Sequence, residues 1–591
     1  MCGIHGFGGD DAELVGRMVN ACRHRGPDGS GIWRSQHLTL GHNLLAIVAS
    51  PGKSLQPIQH GAGTLVYNGE IYNTAELSRR MLNKRFDTDA YLLAALLADD
   101  PSNLKYVDGM YAFAWAPQGD RGPVWLARDK NGAKPLYYTR HLGKLLFSSE
   151  IRGLLAAGVR PVLDMLGFQL YMEFGYIPGP STLLRGVSKL VPGELRYVYP
   201  DGRLKGSGYV SEGLPAVDRE SHPSDFSDAL RQSVKNCLVG IRPTCLYLSG
   251  GLDSASILEA ARNAGAKLLT LTMRLEGGTP EAVEDADVAR RLAKEFRFEN
   301  VPVTCTELDY VEALEDAAKA QDDPIYNRGL PAYLIMHMAA KKLGQVVVLT
   351  GDGGDELLAG YARHRYLVDE RKQKKAITEM SQAYGCDGWR LDNPVKRWHW
   401  LTSRGGSRFV RAKEPLLPHK LFLYMDTWLP TWASPAYSRD KLRRGAEPIR
   451  EHQVMERFGQ LAEDYLMRND KLGMSCGLEC RMPLLSEPFR SYAIRQHPGD
   501  LTQTKQLSRA AYQGLLPDYV LNKVKTGWSM PTGAWLENAK SPLRSKIGEV
   551  FGKSEWLSQI VKPEALKDKK VMFSLLHFAI WANAIGLQLE P

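Results

Sequence analysis

The stretch TCLYLSGGLDS, residues 244–254, decides the fold of the larger part of this chain. Thr244 to Leu248 has the β-branched and apolar composition of a buried strand, and a glycine-rich turn separates it from a helical pattern at Ala255 to Ala264. Another strand follows at Lys267 to Met273. Strands that alternate with helices in this way predict a parallel sheet covered by helices.

A second strand of the same kind lies about a hundred residues downstream. The continuous apolar run QVVVLT, residues 345–350, leads into GDGGDE, residues 351–356. The carboxyl ends of parallel strands meet at one edge of a sheet, so we expect this acidic loop and the loop 249–254 to face the same ligand.

The glycines of loop 249–254 allow its backbone N–H groups to approach a phosphate closely, and a helix N-terminus follows them. The loop lacks the Gly-Lys-Ser/Thr ending of a Walker motif and resembles the pyrophosphate loop of ATP pyrophosphatases instead. Asp253 and Asp355 are suited to hold Mg²⁺, which prefers carboxylates together with substrate phosphate oxygens.

The chain before residue 211 has a different pattern. Short β-branched and aromatic runs at 64–67, 111–115 and 124–127 are separated by turns, and helical spacing occurs between them at Ala90 to Ala98. Mixed strands and helices predict a layered α/β unit. A polar, proline-containing stretch from Ser211 to Ser224 marks the boundary, so we expect domains at 1–210 and 211–591.

Three motifs near the start of the chain indicate a thiol that hydrolyses an amide: MCGIHG at 1–6, RGPDG at 25–29 and YNGEIYN at 67–73. After removal of Met1, the α-amino group of Cys2, with a reference pKa of about 7.7–8.0, can take the thiol proton. Asn68 and the N–H of Gly69 suit the stabilisation of an oxyanion. Taken singly, Cys2 reads as a small buried hydrophobe and Asn68-Gly69 as a hairpin turn; taken together, the motifs favour catalysis.

Composition excludes several classes of protein. The 591 residues carry a formal charge of +9, which favours anionic ligands. The sequence has no dense basic tail, zinc-finger spacing or RNA-recognition signature, so we expect no nucleic-acid partner. Eight cysteines without a Cys-x-x-Cys pair, and no signal peptide, predict a reducing, cytoplasmic setting. The most apolar stretch, 571–589, contains polar residues and predicts a buried helix and no membrane span.

These motifs resemble the class II glutamine amidotransferases, and specifically the asparagine synthetase family. The resemblance covers nearly the whole chain in the family's order and includes FDTD at 86–89, KPLYY at 134–138, FSSEI at 147–151 and, imperfectly, the block at 470–483. It implies an α/β protein, with an N-terminal Ntn-type αββα sandwich that is followed by a parallel-sheet ATP-pyrophosphatase domain with helical additions.

For the glutamine site, the resemblance implies that Cys2 is the nucleophile and that Asp87 holds the α-amino group of glutamine. Where the family reads His-x-Arg-Leu, and its arginine grips the α-carboxylate, this chain has Leu44. Another arginine replaces it, glutamine binds weakly, or the amide donor differs. The remaining implied residues are the oxyanion-hole pair Asn68 and Gly69 and the glutamine contacts Arg25 and Glu70.

For the ATP site, the resemblance implies that Asp352 assists the attacking ammonia and that Lys525 stabilises charge on the adenylate and pyrophosphate. It places Mg²⁺ on Asp253 and Asp355. The implied ATP contacts are Leu248, Ser249, Gly250, Gly251, Asp253, Ser254, Met273, Thr350 and Gly351.

The implied reaction is a glutamine-dependent amide synthesis. A carboxylate attacks the α-phosphate of ATP, and ammonia from glutamine then displaces AMP from the acyl-adenylate. The alternative is a ring-closing synthetase of β-lactam synthetase type with a vestigial glutaminase site; the retained Cys2 argues against it and Leu44 keeps it open. The partners are small molecules, glutamine, ATP and a carboxylate, and the family commonly forms homodimers.

The acceptor carboxylate is aspartate by family default. The stretch 357–469 is long, basic and rich in tryptophan, and Gly473, Gly477 and Ser486 stand where Ser, Ser and Asp are usual. One interpretation of these departures is a larger acceptor, such as a natural-product, peptide or glycan carboxylate. The other interpretation is that the stretch only packs on the sheet, with its tryptophans buried.

Overall fold

Three β-sheets organise the part of the chain that the computed structural model describes: residues 2–117, 122–209, 223–361, 363–364, 378, 406–412, 448–496, 505–523 and 530–589. The strands are β1 Gly3–Phe7, β2 Gly29–Arg34, β3 Thr39–Leu44, β4 Ile58–His60, β5 Gly63–Ile71, β6 Gly109–Ala116, β7 Val124–Arg128, β8 Tyr137–His141, β9 Lys144–Ser148, β10 Ser188–Lys189, β11 Glu194–Val198, β12 Leu204–Tyr209, β13 Thr244–Tyr247, β14 Leu269–Leu275, β15 Asn300–Cys305, β16 Val347–Leu349 and β17 Glu479–Arg481.

The α-helices of the same residues surround these sheets. They are α1 Ala12–Ala21, α2 Pro51–Ser54, α3 Thr74–Leu77, α4 Asp89–Asp99, α5 Ile151–Ala156, α6 Met165–Phe174, α7 Pro223–Cys237, α8 Leu252–Asn263, α9 Pro280–Glu295, α10 Glu307–Ala320, α11 Leu330–Lys342, α12 Gly354–Leu357, α13 Pro448–Glu456, α14 Leu466–Ser475, α15 Glu487–Arg495, α16 Gln506–Ala511, α17 Asp518–Leu521, α18 Thr532–Glu537, α19 Pro542–Gly552, α20 Leu557–Ile560 and α21 Lys569–Ile585.

The N-terminal domain is a sandwich of two antiparallel six-stranded sheets, in the orders β10-β8-β9-β1-β3-β2 and β12-β11-β7-β6-β5-β4. Their facing sides share a dry core in which Ile4, Val66 and Phe147 are fully buried. Helix α1 packs against β1 and β3, and α4 packs against β4 and β5, on the outer faces. The layers are therefore helix, sheet, sheet and helix, which confirms the predicted αββα architecture.

The C-terminal domain is built on a five-stranded sheet in the order β15-β14-β13-β16-β17, in which every neighbouring pair is parallel. The strand predicted at 244–248 is β13, the one at 267–273 is β14, and the apolar run 345–350 contains β16. The sequence pattern sufficed here because parallel strands are buried on both faces and are therefore continuously apolar.

A long helical segment, residues 448–475, lies between the two domains and is called the interface helix below. It joins α13, a π-helical stretch at Arg457–Tyr465 and α14 without a break. Its buried carboxylates receive cations from the N-terminal domain: Arg128 and Lys189 contact Glu463 at 3.0 and 2.8 Å. The interface helix is thus the element through which the domains are oriented.

The C-terminal helix α21 is buried along most of its length, with Phe573, Leu576 and Trp581 at most 1% exposed, as its apolar sequence predicted. Within the described ranges, no helix combines the length and apolar character that a membrane crossing requires. The seven cysteines of these ranges are all free thiols.

Candidate active sites

A cavity of about 430 Å³ opens where β13 and β16 end. The loops that follow these strands touch each other, since a Cβ atom at Gly354 would lie 2.8 Å from Cγ of Asp253. Gly250 has φ +75°, and a Cβ atom there would lie 2.2 Å from the carbonyl oxygen of Asp285, so this turn accepts only glycine. The two loops therefore meet at one edge of the sheet.

Most of the residues that the sequence assigned to ATP line this cavity. Gly250 is not among them, because its role in the turn is to bend the backbone. Lys525 lies outside the described residues. Those that line the cavity are Leu248, Ser249, Gly251, Asp253, Ser254, Met273, Thr350 and Gly351, together with Asp352 and Asp355.

The carboxylates of Asp253 and Asp355 converge on one cation, the ammonium group of Lys505. Lys505 Nζ donates to Asp253 and lies 2.6 Å from Oδ1 of Asp355. Nearby, the Thr350 hydroxyl is buried and has no hydrogen-bond partner. Two converging carboxylates and a free hydroxyl beside an open cavity are donors that fit Mg²⁺ shared with substrate phosphates.

The opposite wall of the cavity is formed by the interface helix. Asn469 Nδ2 donates to Oδ2 of Asp352 at 2.7 Å. The preceding residue, Arg468, is 3% exposed and lines the cavity with its guanidinium 4.5 Å from the centre of the Tyr333 ring. One Nη atom of Arg468 bonds to Asp464 at 3.2 Å, while its Nε has no partner. The buried cation of Arg468 therefore forms part of the cavity wall close to Asp352, and its Nε is an unpartnered donor inside that wall.

A second, smaller cavity of about 40 Å³ contains Cys2. The backbone N of Cys2 donates to Oδ1 of Asn68 at 2.9 Å, and Nδ2 of Asn68 is buried without a partner. Burial raises the pKa of the Cys2 thiol, and the nearby positive N-terminus only partly offsets this. The thiol is therefore the resting form, and a base has to remove its proton before it can attack.

Gly69 and Glu70 follow Asn68 on β5. A Cβ atom at Gly69 would lie 2.2 Å from the carbonyl oxygen of Met110, so a side chain has no room there. Oε2 of Glu70 accepts from Arg481 of the C-terminal domain at 2.9 Å, although burial keeps the pKa of Glu70 well above its usual range. Both residues line the thiol cavity, and Glu70 is at the same time a domain contact.

Arg25 is fully buried beside Cys2 but does not line the cavity. Its Nε donates to the carbonyl oxygen of Cys2 at 3.0 Å, and its Nη1 donates to Glu150 and to Asp470, both at 2.8 Å. All the described hydrogen bonds of this guanidinium are made to other buried groups of the protein. The structure thus places Arg25 behind the thiol, where it holds the Cys2 backbone, and not against a ligand.

The structure does not bring Asp87 to the thiol. The Asp87 side chain is 71% exposed and pairs with Lys53 at 3.4 Å. Asp89 lines the cavity instead, with Oδ2 accepting from the Tyr67 hydroxyl at 2.7 Å. The cause is local: Thr88 caps helix α4, so Asp89 is in its first, buried turn while Asp87 precedes the cap. Each partner of the pair Lys53–Asp87 is followed in the sequence by a residue that lines the cavity, Ser54 and Thr88.

Among the described residues, the lining of the thiol cavity contains three carboxylates, Glu70, Asp89 and Glu479, and neither lysine nor arginine. Leu44 is 2% exposed and packs on Cys2 and forms part of the wall. The interior of this cavity therefore offers no cation to an α-carboxylate.

Strand β17 connects the two cavities. Glu479, at the start of the strand, lines the thiol cavity. Burial alone would raise the pKa of Glu479, but the Arg481 guanidinium lowers this pKa to about 2. At the end of the strand, the carbonyl oxygen of Arg481 accepts from the N–H of Thr350, which lines the large cavity. Glu479 was in the sequence block that carried the resemblance, but nothing in the sequence indicated that it faces the thiol.

Comparisons with known proteins match both halves of the chain. The family model described as asparagine synthase matches residues 225–571, and the model described as glutamine amidotransferase domain matches residues 1–209. Asparagine synthetase [glutamine-hydrolyzing] 1 of Bacillus subtilis (strain 168) is 27% identical over 97% of this chain and 94% of its own length. A putative asparagine synthetase of Mycobacterium tuberculosis (strain ATCC 25618 / H37Rv) is also 27% identical, over 91% and 88%.

A search of solved structures returned the glutamine phosphoribosylpyrophosphate amidotransferase of B. subtilis complexed with ADP and GMP. It covers 51% of this chain and 66% of its own, with 15% sequence identity and a TM-score of 0.28.

Proposed function

Since the chain belongs to the asparagine synthase family of glutamine-hydrolysing ligases, we propose that it adenylates a carboxylate with ATP and converts it to an amide with ammonia from glutamine. Pyrophosphate and AMP are the other products. In this proposal residues 1–210 form the glutaminase, residues 211–591 form the synthetase, and both work in the cytoplasm.

The observation that carries the proposal is the position of β17. The strand is three residues long: Glu479 at its start lines the thiol cavity, and the carbonyl oxygen of Arg481 at its end accepts from the N–H of Thr350, which lines the large cavity. In water at neutral pH, ammonia is mostly converted to ammonium, which is not a nucleophile. Ammonia released beside Cys2 therefore has to reach its target before it meets bulk water. Two cavities separated by one short strand support such a transfer.

In the synthetase half, we assign the phosphates of ATP to the two loops and Mg²⁺ to Asp253 and Asp355. Magnesium, when bound, neutralises charge on the leaving pyrophosphate. Lys505 already contacts both carboxylates and would add a second positive charge beside that group. Asp352, held by Asn469 at 2.7 Å, is placed to accept a proton from ammonia as it attacks. Lys525 keeps its proposed role in stabilising the adenylate.

In the glutaminase half, Cys2 is the proposed nucleophile, and its own α-amino group, freed by removal of Met1, is the base. The bond from the Cys2 nitrogen to Oδ1 of Asn68 would hold that amine in place. The unpartnered Nδ2 of Asn68 and the N–H of Gly69 are the proposed oxyanion donors, which stabilise the negative charge of a tetrahedral intermediate.

We assign the glutamine headgroup to the ion pair Lys53–Asp87 at the rim of the thiol cavity. The headgroup is a zwitterion, so its ammonium and carboxylate can replace the two partners of an existing pair, Asp87 binding the first and Lys53 the second. The pair is exposed and has a spacing of 3.4 Å, so opening it costs little. Lys53 would then bind the α-carboxylate of glutamine, which Leu44 cannot do. Arg25 and Glu70, which the resemblance assigned to glutamine, support the site from behind through Cys2 and Arg481.

The acceptor is proposed to carry an anionic group in addition to the carboxylate that reacts. Arg468 is the basis for this, because it is buried in the cavity wall, has one free N–H donor and lies beside Asp352. Aspartate has such a second anion and is the first acceptor to test. A larger acid with the same pair of groups is the next.

One observation favours a second candidate, the ring-closing synthetase. Within the described lining the thiol cavity is small, acidic and without a cation, so glutamine hydrolysis depends wholly on the exposed pair at its rim. If that pair does not bind glutamine, the amine that attacks the adenylate has to come from the acceptor itself.

The test is acceptor-dependent pyrophosphate release over a panel of carboxylates, aspartate first, with glutamine, with ammonium chloride and with neither. Glutamine and ammonium should both support amide formation, and Cys2→Ala should abolish only the glutamine reaction. Cys22→Ala is the matched control, because Cys22 is also a buried cysteine and lines neither cavity. Pyrophosphate release without any nitrogen source, together with a cyclised product, would establish the ring-closing synthetase. If none of the acids in the panel causes pyrophosphate release, both candidate functions are rejected.

A further inference from the structure

A buried cluster of two histidines and a glutamate lies behind the large cavity. His364 follows the loop that carries Asp355, and His452 and Glu456 lie one turn apart on α13. The three side chains are at most 2% exposed. Neither the ATP site nor the glutamine site uses them.

The ligand atoms of the cluster converge. Nε2 of His364 is 2.7 Å from Oε2 of Glu456, and Nε2 of His452 is 3.1 Å from Oε1 of the same carboxylate. One ligand atom of each residue lies within 4.8 Å of the other two. Bonds of about 2.0–2.2 Å in a tetrahedral zinc site put ligand atoms about 3.4 Å apart, so small side-chain rotations would complete the geometry.

A second observation indicates a missing partner. Both ring nitrogens of His452 lack a hydrogen bond, although the residue is 2% exposed. Its Nε2 is close to Glu456 but not aligned for a hydrogen bond. Buried polar groups are normally paired, because leaving one without a partner destabilises the folded protein. A cation between the imidazole and the carboxylate would satisfy this nitrogen.

The charges around the cluster allow a dication. Arg363 contacts Oε1 of Glu456, with its Nε 2.6 Å away, and leaves Oε2 facing His364. This arginine opposes a metal by its charge but also fixes the carboxylate, as groups behind metal ligands usually do. A second buried carboxylate, Glu356, is held 2.5 Å from the Tyr361 hydroxyl next to the cluster and offsets the arginine.

We propose that His364, His452 and Glu456 bind a divalent transition-metal ion of the zinc type. Two imidazoles and one carboxylate are a ligand set that zinc accepts, with a fourth position left for water. The ion would join the two ends of residues 365–451, because His364 precedes this stretch and His452 follows it. Tyr361 and Glu356 also line the large cavity, so the ion would fix part of the wall of that cavity.

The test measures metal by mass spectrometry in protein produced with added zinc and passed over a chelating resin. We expect about one zinc per chain in the wild type and a drop of at least tenfold in His452→Ala and in Glu456→Gln. His577→Ala is the matched control: His577 is 1% exposed, and both of its ring nitrogens lack partners, but it belongs to no such cluster in the described residues. It should keep the metal.

Cobalt substitution makes the result independent of how the variants fold. Wild-type protein stripped of metal and given Co²⁺ should develop the visible absorption of a four- or five-coordinate site, and zinc should abolish it. Zinc content that is equal in the wild type, His452→Ala and Glu456→Gln, or wild-type protein that holds no zinc and gives no cobalt spectrum, would overturn the proposal. Neither readout depends on the amide-forming reaction, so the proposed function can fail without affecting this result.

Discussion

Replacement of Asp470 by asparagine tests whether the interface helix positions the thiol. Asp470 accepts from Nη1 and Nη2 of Arg25, at 2.8 and 3.2 Å, and Lys134 lies 3.4 Å away. Arg25 in turn holds the carbonyl oxygen of Cys2 at 3.0 Å. The chain of contacts from the helix to the nucleophile therefore has one intermediate, and Asp470→Asn removes the charge that anchors it without changing the shape.

The magnitude follows from burial. Removing one charge of a buried ion pair costs about 3–5 kcal/mol, because the partner is left uncompensated. Arg25 keeps Glu150 at 2.8 Å, so we expect a loss of about 3 kcal/mol, the lower end of that range. A displacement of a reacting group by about 1 Å can cost about 100-fold in rate. We therefore expect kcat/KM for glutamine hydrolysis to fall by about 10- to 100-fold, or about 1.4–2.7 kcal/mol.

The assay compares two activities of one preparation: glutamate release from glutamine, and pyrophosphate release with ammonium as nitrogen source. Asp470→Asn should lose the first and keep the second within about threefold. Asn469→Ala, on the neighbouring residue, removes the bond to Asp352 and should do the reverse. The reasoning is refuted if Asp470→Asn leaves glutamine hydrolysis unchanged, or if both variants lose both activities equally while urea unfolding shows them to be as stable as expected.

Three further predictions concern single groups. Lys53→Ala should raise the KM for glutamine by about tenfold or more, the worth of a charge-assisted bond, without changing the KM for ammonium; an unchanged glutamine KM would mean that another group binds the headgroup. Asp253→Asn should lower pyrophosphate release by about 100-fold or more and spare glutamine hydrolysis, and normal release would disprove the metal role. Burial lowers the pKa of His577 to about 4. The unfolded chain therefore binds this proton at pH below about 6.5 while the folded chain does not, and the free energy of unfolding should fall by about 3 kcal/mol between pH 6.5 and 4. His577→Phe should flatten that part of the pH profile in urea titrations, and an identical profile would contradict the assignment.

The sequence predicted the C-terminal sheet well because the information is local. A strand buried on both faces is apolar at every position. Gly250 is required by a close approach to Asp285 of α9, and Gly354 by a close approach to Asp253 of the other loop. The convergence of Asp253 and Asp355 then follows from the parallel direction of β13 and β16 alone.

The sequence did less well where helix capping or domain contacts decide which side chain faces a cavity. Asp87 and Asp89 are the same residue type, two positions apart. Only the helix cap at Thr88 determines that Asp89 faces the cavity and Asp87 does not. Arg25 was assigned to glutamine, but its partner Asp470 is separated from it by most of the chain, and no periodicity reports such a pair. Lys505 contacts both carboxylates, and its place between them depends on the tertiary fold, which no local sequence pattern reports.

The charges across the domain contact explain why the two cavities stay in register. Cations of the N-terminal domain meet carboxylates of the C-terminal domain at Arg25–Asp470, Arg128–Glu463 and Lys189–Glu463, and these side chains are at most 5% exposed. Buried ion pairs add little net stability compared with apolar contacts, but a misaligned domain would leave each charge unpaired, at a cost of several kcal/mol. An apolar interface would tolerate a small displacement of one domain along the other, whereas these ion pairs make such a displacement costly. The transfer of ammonia proposed above needs a fixed alignment of the two cavities, and a charged interface enforces such an alignment more strictly than an apolar one.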